Sequence, residues 1–288
     1  MENSTGGVGR GPVLTAVTFR GGDGCPLHAW TTGSGPPVVL LHGGGPDHRG
    51  LLPLAARLSG RHTVVLPDGR GFGRSACPHE EHHTWSRYAA DVVALLDLLG
   101  LGAAVVGGTG LGGTVALRMA VEHPGRVRAV VVISAEDIED DAAKEAERVF
   151  FERFAARVRA DGVAAGWDPV LTDLAPLIGN LVREAMPRAD AASLAAFCAI
   201  GRDRAFRSVA DLAVIGAPVL VVPGSDARHP ADLAARLADA LPRGRLSPVP
   251  LSSTILTAED LGAVLGPVVA AFLVGEGKRE GNGRKRDG

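Results

Sequence analysis

Three short apolar runs in the first half of the chain are each followed directly by a cluster of glycines. The runs are residues 37–41, 63–66 and 103–106, and the clusters read HGGG, DGRGFGRS and GGTGLGG. Glycine accounts for 39 of the 288 residues, close to twice its usual share of about 7%. Such an excess indicates either a flexible chain or tight turns where the backbone approaches another group. Because the clusters follow strand-length runs, they favour tight turns at the ends of buried strands.

Strand-length apolar runs alternate with longer amphipathic segments from residue 13 to about residue 274. This alternation predicts βα units on a largely parallel sheet. The predicted strands are residues 38–41, 63–66, 103–106, 127–133 and 219–222. The predicted helices are residues 85–99, 114–121, 231–241 and 258–273.

The segment 136–212 contains no good strand candidate and is rich in Ala, Arg, Asp and Glu. A structureless loop of that length is improbable, so we expect a helical cap inserted into one core made of residues 13–135 and 213–274. Residues 1–12 and the basic tail 275–288 are glycine-rich and polar. We expect both ends to be disordered, because they cannot bury enough apolar surface to become ordered.

The chain carries 30 Lys and Arg against 32 Asp and Glu, so it has no excess positive charge for binding nucleic acid. No run approaches the roughly 18 apolar residues of a membrane helix, and the N-terminus does not resemble a signal peptide. Three widely spaced cysteines predict reduced thiols. We therefore expect a cytoplasmic protein that acts on a small molecule without a cofactor or metal ion, away from membranes; a homodimer is left open.

The order of these motifs resembles the α/β-hydrolase superfamily. The HGGG run at 42–45 resembles its oxyanion loop, 68–75 resembles its D-x-R-G-x-G-x-S turn, and 107–113 resembles its strand–elbow–helix unit. A cap segment, a late strand followed by Gly224-Ser225-Asp226, and a last helix complete the order over about 260 residues. The resemblance implies an α/β fold of the α/β-hydrolase type, with a mostly parallel central sheet, helices on both faces and a helical cap.

The elbow of this superfamily reads G-x-S-x-G, and its serine is the nucleophile. Here residues 108–112 read GTGLG, so Gly110 stands at the nucleophile position. Glycine has no side chain that can attack a substrate, and the usual acyl-enzyme is therefore not available. The resemblance also implies an oxyanion hole made by the backbone amides of Gly44 and Leu111. Such donors stabilise negative charge on a substrate oxygen without a nucleophile beside them.

The acid position of the superfamily matches Asp226. The base is expected in the loop before the last helix, where residues 250–254 read PLSST, and no histidine follows His229. The resemblance therefore implies a member that lacks both the nucleophilic serine and the catalytic histidine. Asp226 is a candidate general base, or alternatively a helix cap. His229 is a candidate substitute base, or alternatively part of the turn before Pro230.

The remaining candidates are substrate-binding residues at the ends of the predicted strands. They are His42, Gly43, Gly45, Thr109, Gly110, Glu136 and Asp137. His42 is alternatively a structural residue of its loop, and Glu136 and Asp137 are alternatively the first turn of the cap. Cys77 and Thr109 are candidate displaced nucleophiles, although nothing local activates either one.

Two further patterns have rival interpretations. Residues 108–113 match G-x-G-x-x-G, and Glu136 follows near the offset of a ribose-binding acid, which is typical of dinucleotide binding. The two earlier glycine turns have no place in that fold and argue against it. The histidines of residues 78–83 lack a second ligand cluster, so this segment predicts a solvated loop rather than a metal site.

Three functions remain under consideration. The first is a triad-less enzyme that performs elimination or cyclisation on a small acylated or carbonyl metabolite, compatible with natural-product biosynthesis. In it the Gly44 and Leu111 amides hold the oxygen, and Asp226 or a cap residue moves protons. The second is a pseudohydrolase that binds a ligand or partner, for which an open apolar pocket is expected. The third is a residual hydrolase with a displaced nucleophile or a water activated by Asp226 or His229.

Overall fold

Parallel β-strands form the centre of the molecule, as the computed structural model shows for residues 13–283, with side chains described through residue 276. The strands are Thr15–Arg20 (β1), Pro26–Thr32 (β2), Pro37–Leu41 (β3), Thr63–Pro67 (β4), Ala104–Thr109 (β5), Val127–Ile133 (β6), Val219–Val222 (β7) and Gly244–Leu246 (β8). Their order across the sheet is β1-β2-β4-β3-β5-β6-β7-β8. β2 runs antiparallel to β1 and β4, and all other neighbours are parallel. The predicted mostly parallel sheet is confirmed.

All five predicted strands are present, but β1, β2 and β8 were not predicted. β1 lies at the sheet edge and is mostly exposed, so it lacks a continuous apolar run. β8 has only three residues, none of them buried. β5 extends to Thr109, through two glycines that a strand interior normally disfavours. A Cβ on Gly107 would lie 2.6 Å from the Val131 carbonyl oxygen, so this glycine permits the close packing of β5 on β6.

Helices cover both faces of the sheet, as predicted. Leu52–Leu58 (α1) and Ala258–Gly283 (α9) cover one face, and Trp85–Leu98 (α2), Leu111–Glu122 (α3) and Ala231–Ala240 (α8) cover the other. Successive strand residues point to opposite faces, so Val38 and Leu40 of β3 join one core and Val39 and Leu41 join the other.

Four helices lie between β6 and β7, in the segment predicted as a helical cap. They are Asp141–Asp161 (α4), Val163–Trp167 (α5), Pro176–Ala185 (α6) and Ala191–Phe197 (α7). Aromatic side chains join them: Phe154 of α4 packs edge-on against Trp167 of α5 at 4.9 Å between ring centroids, and Phe151 packs against Phe197 at 5.6 Å. The cap therefore has an aromatic interior that faces the carboxyl ends of the strands.

The last helix, α9, is long and apolar enough to cross a membrane by length and composition, with a mean hydropathy of 1.6 over Ala258–Glu276. The sequence predicted this helix over residues 258–273 but not its membrane-compatible length and hydropathy. Leu261, Leu265 and Val269 are fully buried and belong to the core between α9, α1 and the sheet. α9 is thus a core helix of this fold. It continues to Gly283, past the expected end of the core at residue 274, whereas residues 1–12 and 284–288 lie outside the described part of the chain.

Candidate active site

Gly110 forms a sharp turn between β5 and α3, at the carboxyl end of the sheet. Its φ of 48° and ψ of −118° lie in a region that residues with a Cβ rarely adopt. Its backbone amide donates to the Ile133 carbonyl oxygen at 2.9 Å, which ties the turn to β6. A Cβ on Gly108 or Gly112 would overlap the Leu41 carbonyl oxygen. The strand, turn and helix therefore pack closely around a position that has no side chain of its own.

The glycine loop after β3 lies between this turn and the cap. A Cβ on Gly45, which has a φ of 100°, would lie 2.6 Å from the Trp167 ring. His42 is buried and braces the loop, since its Nε2 accepts the Gly69 amide at 2.8 Å and its Nδ1 donates to the Gly43 carbonyl oxygen at 2.8 Å. Burial lowers the pKa of His42, which keeps the ring neutral in this arrangement. These contacts agree with the structural interpretation of His42, which also lines the cavity described below.

The imidazole of His229, the candidate substitute base, lies next to the elbow. His229 belongs to the loop between β7 and α8, and a Cβ on Gly110 would lie 3.4 Å from its Nε2. On the other side of the ring, Nδ1 lies 2.7 Å from Oδ1 of Asp226, which also accepts the His229 backbone amide at 2.9 Å. Oδ2 of Asp226 accepts the backbone amide of Ala175, in the cap, at 3.0 Å. This placement agrees with the interpretation of His229 as a substitute base rather than as part of the turn before Pro230.

The carboxylate of Glu136 fills the space beside Gly110. A Cβ on Gly110 would lie 2.6 Å from Oε1 of Glu136. Its other oxygen, Oε2, lies 3.3 Å from Nε2 of His229 and 3.7 Å from Nη2 of Arg228. Glu136 follows β6, the parallel neighbour of β5, so its loop converges on the elbow. Glu136 was a substrate-binding candidate from the sequence, and the structure brings it together with His229 and Gly110.

His229 lies between two carboxylates, and this arrangement sets the charges of the site. Burial lowers the pKa of His229, but the charges of Glu136 and Asp226 outweigh burial and raise it to about 9. Burial raises the pKa of Asp226, and the hydrogen bond with His229 more than offsets it, giving a pKa of about 2. Burial also acts to raise the pKa of Glu136, yet the charge of His229 holds it below its usual value, helped by the Leu111 amide. At neutral pH the site therefore holds an imidazolium between two carboxylates.

This charge state makes stability depend on pH. The pKa of His229 is raised on folding, so its contribution is fully present below about pH 6.5 and is lost as the pH rises through about 9. The groups that face the ring are Glu136, Asp226 and Arg228. We expect the difference in free energy of unfolding between wild type and His229→Gln to shrink by about 3 kcal/mol across this range. Urea unfolding at a series of pH values measures it, and a constant difference would contradict the assigned imidazolium.

A second group of ionisable side chains lies behind Glu136, and only Asp137 of this group was named from the sequence. Burial and the charges of Glu136 and Glu147 raise the pKa of Asp137 well above its ordinary value. Its Oδ2 is buried and has no hydrogen-bond partner within the described residues. Burial and the Glu147 charge raise the pKa of Glu139 to about 7, and Lys144 Nζ lies 3.6 Å from Glu139 Oε2. A protonated Asp137 adds no negative charge next to Glu136.

A cavity of about 370 Å³ lies between the elbow and the cap. Its wall is mostly apolar, and its aromatic lining residues are Trp85, Phe150, Phe151, Phe154, Trp167 and Phe197. The ionisable groups lie at one end, where Arg228 also packs 5.1 Å from the centroid of the Phe150 ring. Thr109 lines the same cavity. An apolar wall with a few convergent polar groups is the usual form of a small-molecule site.

The other sequence candidates lie elsewhere or have other partners. Cys77 is buried, its backbone amide donates to the Ser193 hydroxyl, and it does not line the cavity. His83 is also buried, with its ring nitrogens bonded to the Tyr88 hydroxyl and the Cys77 carbonyl oxygen. Among residues 13–276, no group of three His, Cys, Asp or Glu side chains could hold a metal ion. Glu136, which the dinucleotide alternative assigned to a ribose, contacts His229 instead.

Comparison with known proteins relates the chain to hydrolases. A family model described as the alpha/beta hydrolase fold matches residues 36–166. The 2-hydroxy-6-oxo-2,4-heptadienoate hydrolase of Pseudomonas putida is 33% identical over 141 residues, which are 47% of this chain and 47% of that protein. The 2-hydroxy-6-oxo-6-phenylhexa-2,4-dienoate hydrolase of Burkholderia cepacia is 32% identical over 127 residues, 42% of this chain and 43% of that one. The chain thus matches less than half the length of these curated relatives.

Solved structures match nearly the whole chain. A thermophilic esterase from Thermogutta terrifontis has a TM-score of 0.77 at 25% identity, covering 91% of this chain and 99% of that one. The enol-lactonase from Burkholderia xenovorans has a TM-score of 0.72 at 23% identity, covering 86% and 96% respectively. At this level of identity the second likeness concerns the fold alone. The sheet, the helices and these matches establish the α/β-hydrolase fold that the motif order predicted.

Proposed function

We propose that this protein hydrolyses a small, largely apolar ester beneath its cap. The family model and the solved structures support membership of the α/β-hydrolase superfamily, from which this proposal starts. The observation that carries this proposal is the position of His229. Its Nε2 faces the elbow, and Asp226 fixes the opposite side of the ring at 2.7 Å. An imidazole oriented by a carboxylate beside an elbow is the arrangement that moves protons in acyl transfer.

The cavity supports the class of substrate. Aromatic rings line a space of about 370 Å³, and the charged groups lie together at one end. A small apolar acyl group fits against the rings, while its carbonyl carbon faces the elbow. The carbonyl oxygen is then within reach of the Gly44 and Leu111 amides, the donors implied by the superfamily, which stabilise the negative charge that develops there.

The protonation state of His229 determines the role it takes. As an imidazolium at neutral pH it donates a proton, and so it acts first as a general acid toward the leaving oxygen of the ester. This order is the reverse of the usual triad, in which the histidine starts as a neutral base. The curated relatives are named as hydrolases and the solved structures include an esterase and an enol-lactonase, which supports hydrolysis as the reaction.

Elimination or cyclisation is the second candidate function. The observation in its favour is that an acid, His229, and a base, Glu136, lie 3.3 Å apart next to a position without a nucleophile. Such a pair removes one proton and delivers another without a covalent intermediate. A purely ligand-binding role is less well supported, because it requires neither the oriented imidazole nor a buried group of ionisable residues at the end of the cavity.

An oxygen-labelling experiment separates these reactions. The purified protein is incubated in H₂¹⁸O with 4-nitrophenyl esters of acetic, butyric and benzoic acids, and with 4-acetoxy-2-butanone, and the acids released are examined by mass spectrometry. Hydrolysis places ¹⁸O in the released acid, whereas elimination from 4-acetoxy-2-butanone releases unlabelled acetate and an enone. Labelled acid supports our proposal. Unlabelled acetate from the fourth compound, with no turnover of the three aryl esters, would replace it by the second candidate.

A serine restored at the elbow tests whether His229 faces position 110 productively. We expect Gly110→Ser to react with a fluorophosphonate probe at least about tenfold faster than wild type, because the new side chain displaces the Glu136 carboxylate that raises the pKa of His229 and places a hydroxyl beside its Nε2. Gly110→Ala is the matched control, since it introduces the same backbone strain of about 1–2 kcal/mol without a hydroxyl. Labelling is measured by intact-protein mass spectrometry. Equal labelling of the serine and alanine variants would show that the imidazole does not activate this position.

A further inference from the structure

The Glu136 carboxylate lies beside Gly110, and the hydrolysis proposed above assigns it no role. We propose that Glu136 is the nucleophile of this enzyme, and that its side chain forms an acyl anhydride with the substrate in place of the absent serine. This inference rests on the proposed ester hydrolysis and names the atom that attacks. The nucleophile then comes from the loop after β6 rather than from the elbow itself.

The position of the Glu136 carboxylate is the first argument for its role as the nucleophile. A Cβ on Gly110 would lie 2.6 Å from Oε1 of Glu136, so this oxygen lies where the side chain of an elbow nucleophile would begin. The same Cβ would lie 3.4 Å from Nε2 of His229. A glutamate oxygen thus has the neighbours that a serine hydroxyl at position 110 would have. The glycine is necessary for this arrangement, because any side chain at position 110 would displace the carboxylate.

The contacts of Glu136 hold the carboxylate in place and ionised. Oε2 lies 3.3 Å from His229 and 3.7 Å from Arg228, so one oxygen carries both charged contacts. The Leu111 backbone amide also donates to the carboxylate. The backbone is also anchored, since the Glu136 carbonyl oxygen accepts the Thr114 hydroxyl at 3.0 Å. The carboxylate side chain is 12% exposed, and this exposure faces the cavity.

Direct attack fits the geometry better than activation of a water. A base that acts through water needs the water between itself and the substrate carbon, with reacting atoms about 3–3.5 Å apart. Here the carboxylate lies against the elbow, and the amide of Leu111, one of the two expected oxyanion donors, donates to it. A substrate carbonyl oxygen that takes over this hydrogen bond brings its carbon next to the carboxylate itself.

The first half-reaction balances without any further reactant. Oε1 of Glu136 forms a bond to the acyl carbon, and the carbonyl oxygen takes negative charge in the oxyanion hole. The bond between the acyl carbon and the ester oxygen then breaks, and the leaving oxygen takes the proton from Nε2 of His229. The products are a free alcohol, a mixed anhydride on Glu136 and a neutral imidazole.

Water completes the cycle. The neutral His229 removes a proton from a water molecule as the water attacks the acyl carbon of the anhydride. The bond between this carbon and the Glu136 oxygen breaks, which releases the carboxylic acid and restores both the carboxylate and the imidazolium. Asp226 keeps the ring oriented throughout, because it holds Nδ1 at 2.7 Å.

Competition between water and hydroxylamine tests for the anhydride. The wild-type protein is given the 4-nitrophenyl and the phenyl ester of the same acid, each with hydroxylamine, and the ratio of hydroxamate to free acid is measured. A shared anhydride gives the same ratio for both esters, because the leaving group has departed before the two nucleophiles compete. Hydroxylamine that attacks the glutamate carbonyl instead converts Glu136 to a hydroxamate, which peptide mass mapping locates.

Variants supply the second measurement. We expect Glu136→Gln to lower kcat for both esters at least about 100-fold, while Glu122→Gln, on α3 in contact with Arg118 and Ser86, leaves kcat within about twofold. Equal ratios of hydroxamate to free acid for the two esters, together with the loss of kcat in Glu136→Gln, support the inference. Hydrolysis with ratios that differ between the esters, or with full activity in Glu136→Gln, would overturn it and leave the hydrolase proposal standing. Failure of wild type to hydrolyse either ester would overturn both.

Discussion

Replacement of His229 by glutamine is expected to lower kcat/KM for the best ester of the panel by about 10²–10⁴-fold. In the proposed reaction the imidazolium supplies a proton to the leaving group, which glutamine cannot do. The side chain is 6% exposed and packed between Glu136 and Asp226, so a residue of similar size keeps the surrounding packing. The measurement is steady-state hydrolysis near pH 7, with circular dichroism to confirm that the variant is folded.

His62→Gln is the matched control for this experiment. Its ring lies at the amino-terminal side of β4, where Nδ1 contacts the Leu58 carbonyl oxygen at 3.3 Å, far from the carboxyl ends of the strands. We expect its kcat/KM to stay within about twofold of wild type. The pH profile adds a second readout, since activity that depends on the imidazolium falls above about pH 9. A folded His229→Gln protein with wild-type activity would remove His229 from the mechanism.

Replacement of Arg70 by methionine is expected to destabilise the fold by about 3–5 kcal/mol. Arg70 is 1% exposed and joins three parts of the chain. Its Nη1 donates to Asp23 at 2.6 Å, between β1 and β2, while Nη2 and Nε donate to both oxygens of Asp91 on α2 at 2.7 and 2.9 Å. Methionine fills a similar volume but leaves the buried Asp91 carboxylate without its bonded counter-charge, while Asp23 keeps Arg87, at 3.0 Å. Urea unfolding at neutral pH measures the loss.

Two companion variants test the reason for this loss. Arg74→Met, four residues along the same turn, removes an exposed arginine and is expected to cost less than about 1 kcal/mol. The double variant Arg70→Met/Asp91→Leu also removes the Asp91 carboxylate that Arg70 neutralises. We therefore expect it to regain part of the free energy of unfolding that Arg70→Met loses. A double variant less stable than Arg70→Met alone would mean that packing, rather than an unpaired charge, determines the effect.

The fold was predictable where single strands carry their own signal. Val219–Val222 and residues 129–133 of β6 are continuous apolar runs because they are buried on both faces of the sheet, and the predicted bounds of both strands agree with the structure. β1 and β8 were not predicted, because an edge strand buries few side chains and its sequence therefore contains no continuous apolar run. The order of glycine clusters fixed the superfamily resemblance, since each cluster marks a turn that only glycine permits.

The site was predictable in its parts but not in its assembly. Asp226, His229 and Glu136 were candidates, and Gly110 was interpreted as the position of the nucleophile. The spacing of the superfamily, with the histidine far along the chain from the acid, directed attention to residues 250–254. His229 lies only three residues after Asp226, and the local turn brings its ring to the elbow. Spacing along one chain cannot reveal which loops meet in space, and here loops after β5, β6 and β7 converge.

Asp226 connects the reacting groups to the cap. One of its oxygens orients His229, and the other accepts the backbone amide of Ala175 at the start of α6. We expect a substrate large enough to displace α6 to break the hydrogen bond between Ala175 and Asp226. The Asp226 carboxylate then no longer holds the His229 ring in one orientation. If the proposed hydrolysis takes place, we therefore expect an oversized compound to bind and yet meet a misaligned imidazole, so that selectivity by size appears in turnover as well as in affinity.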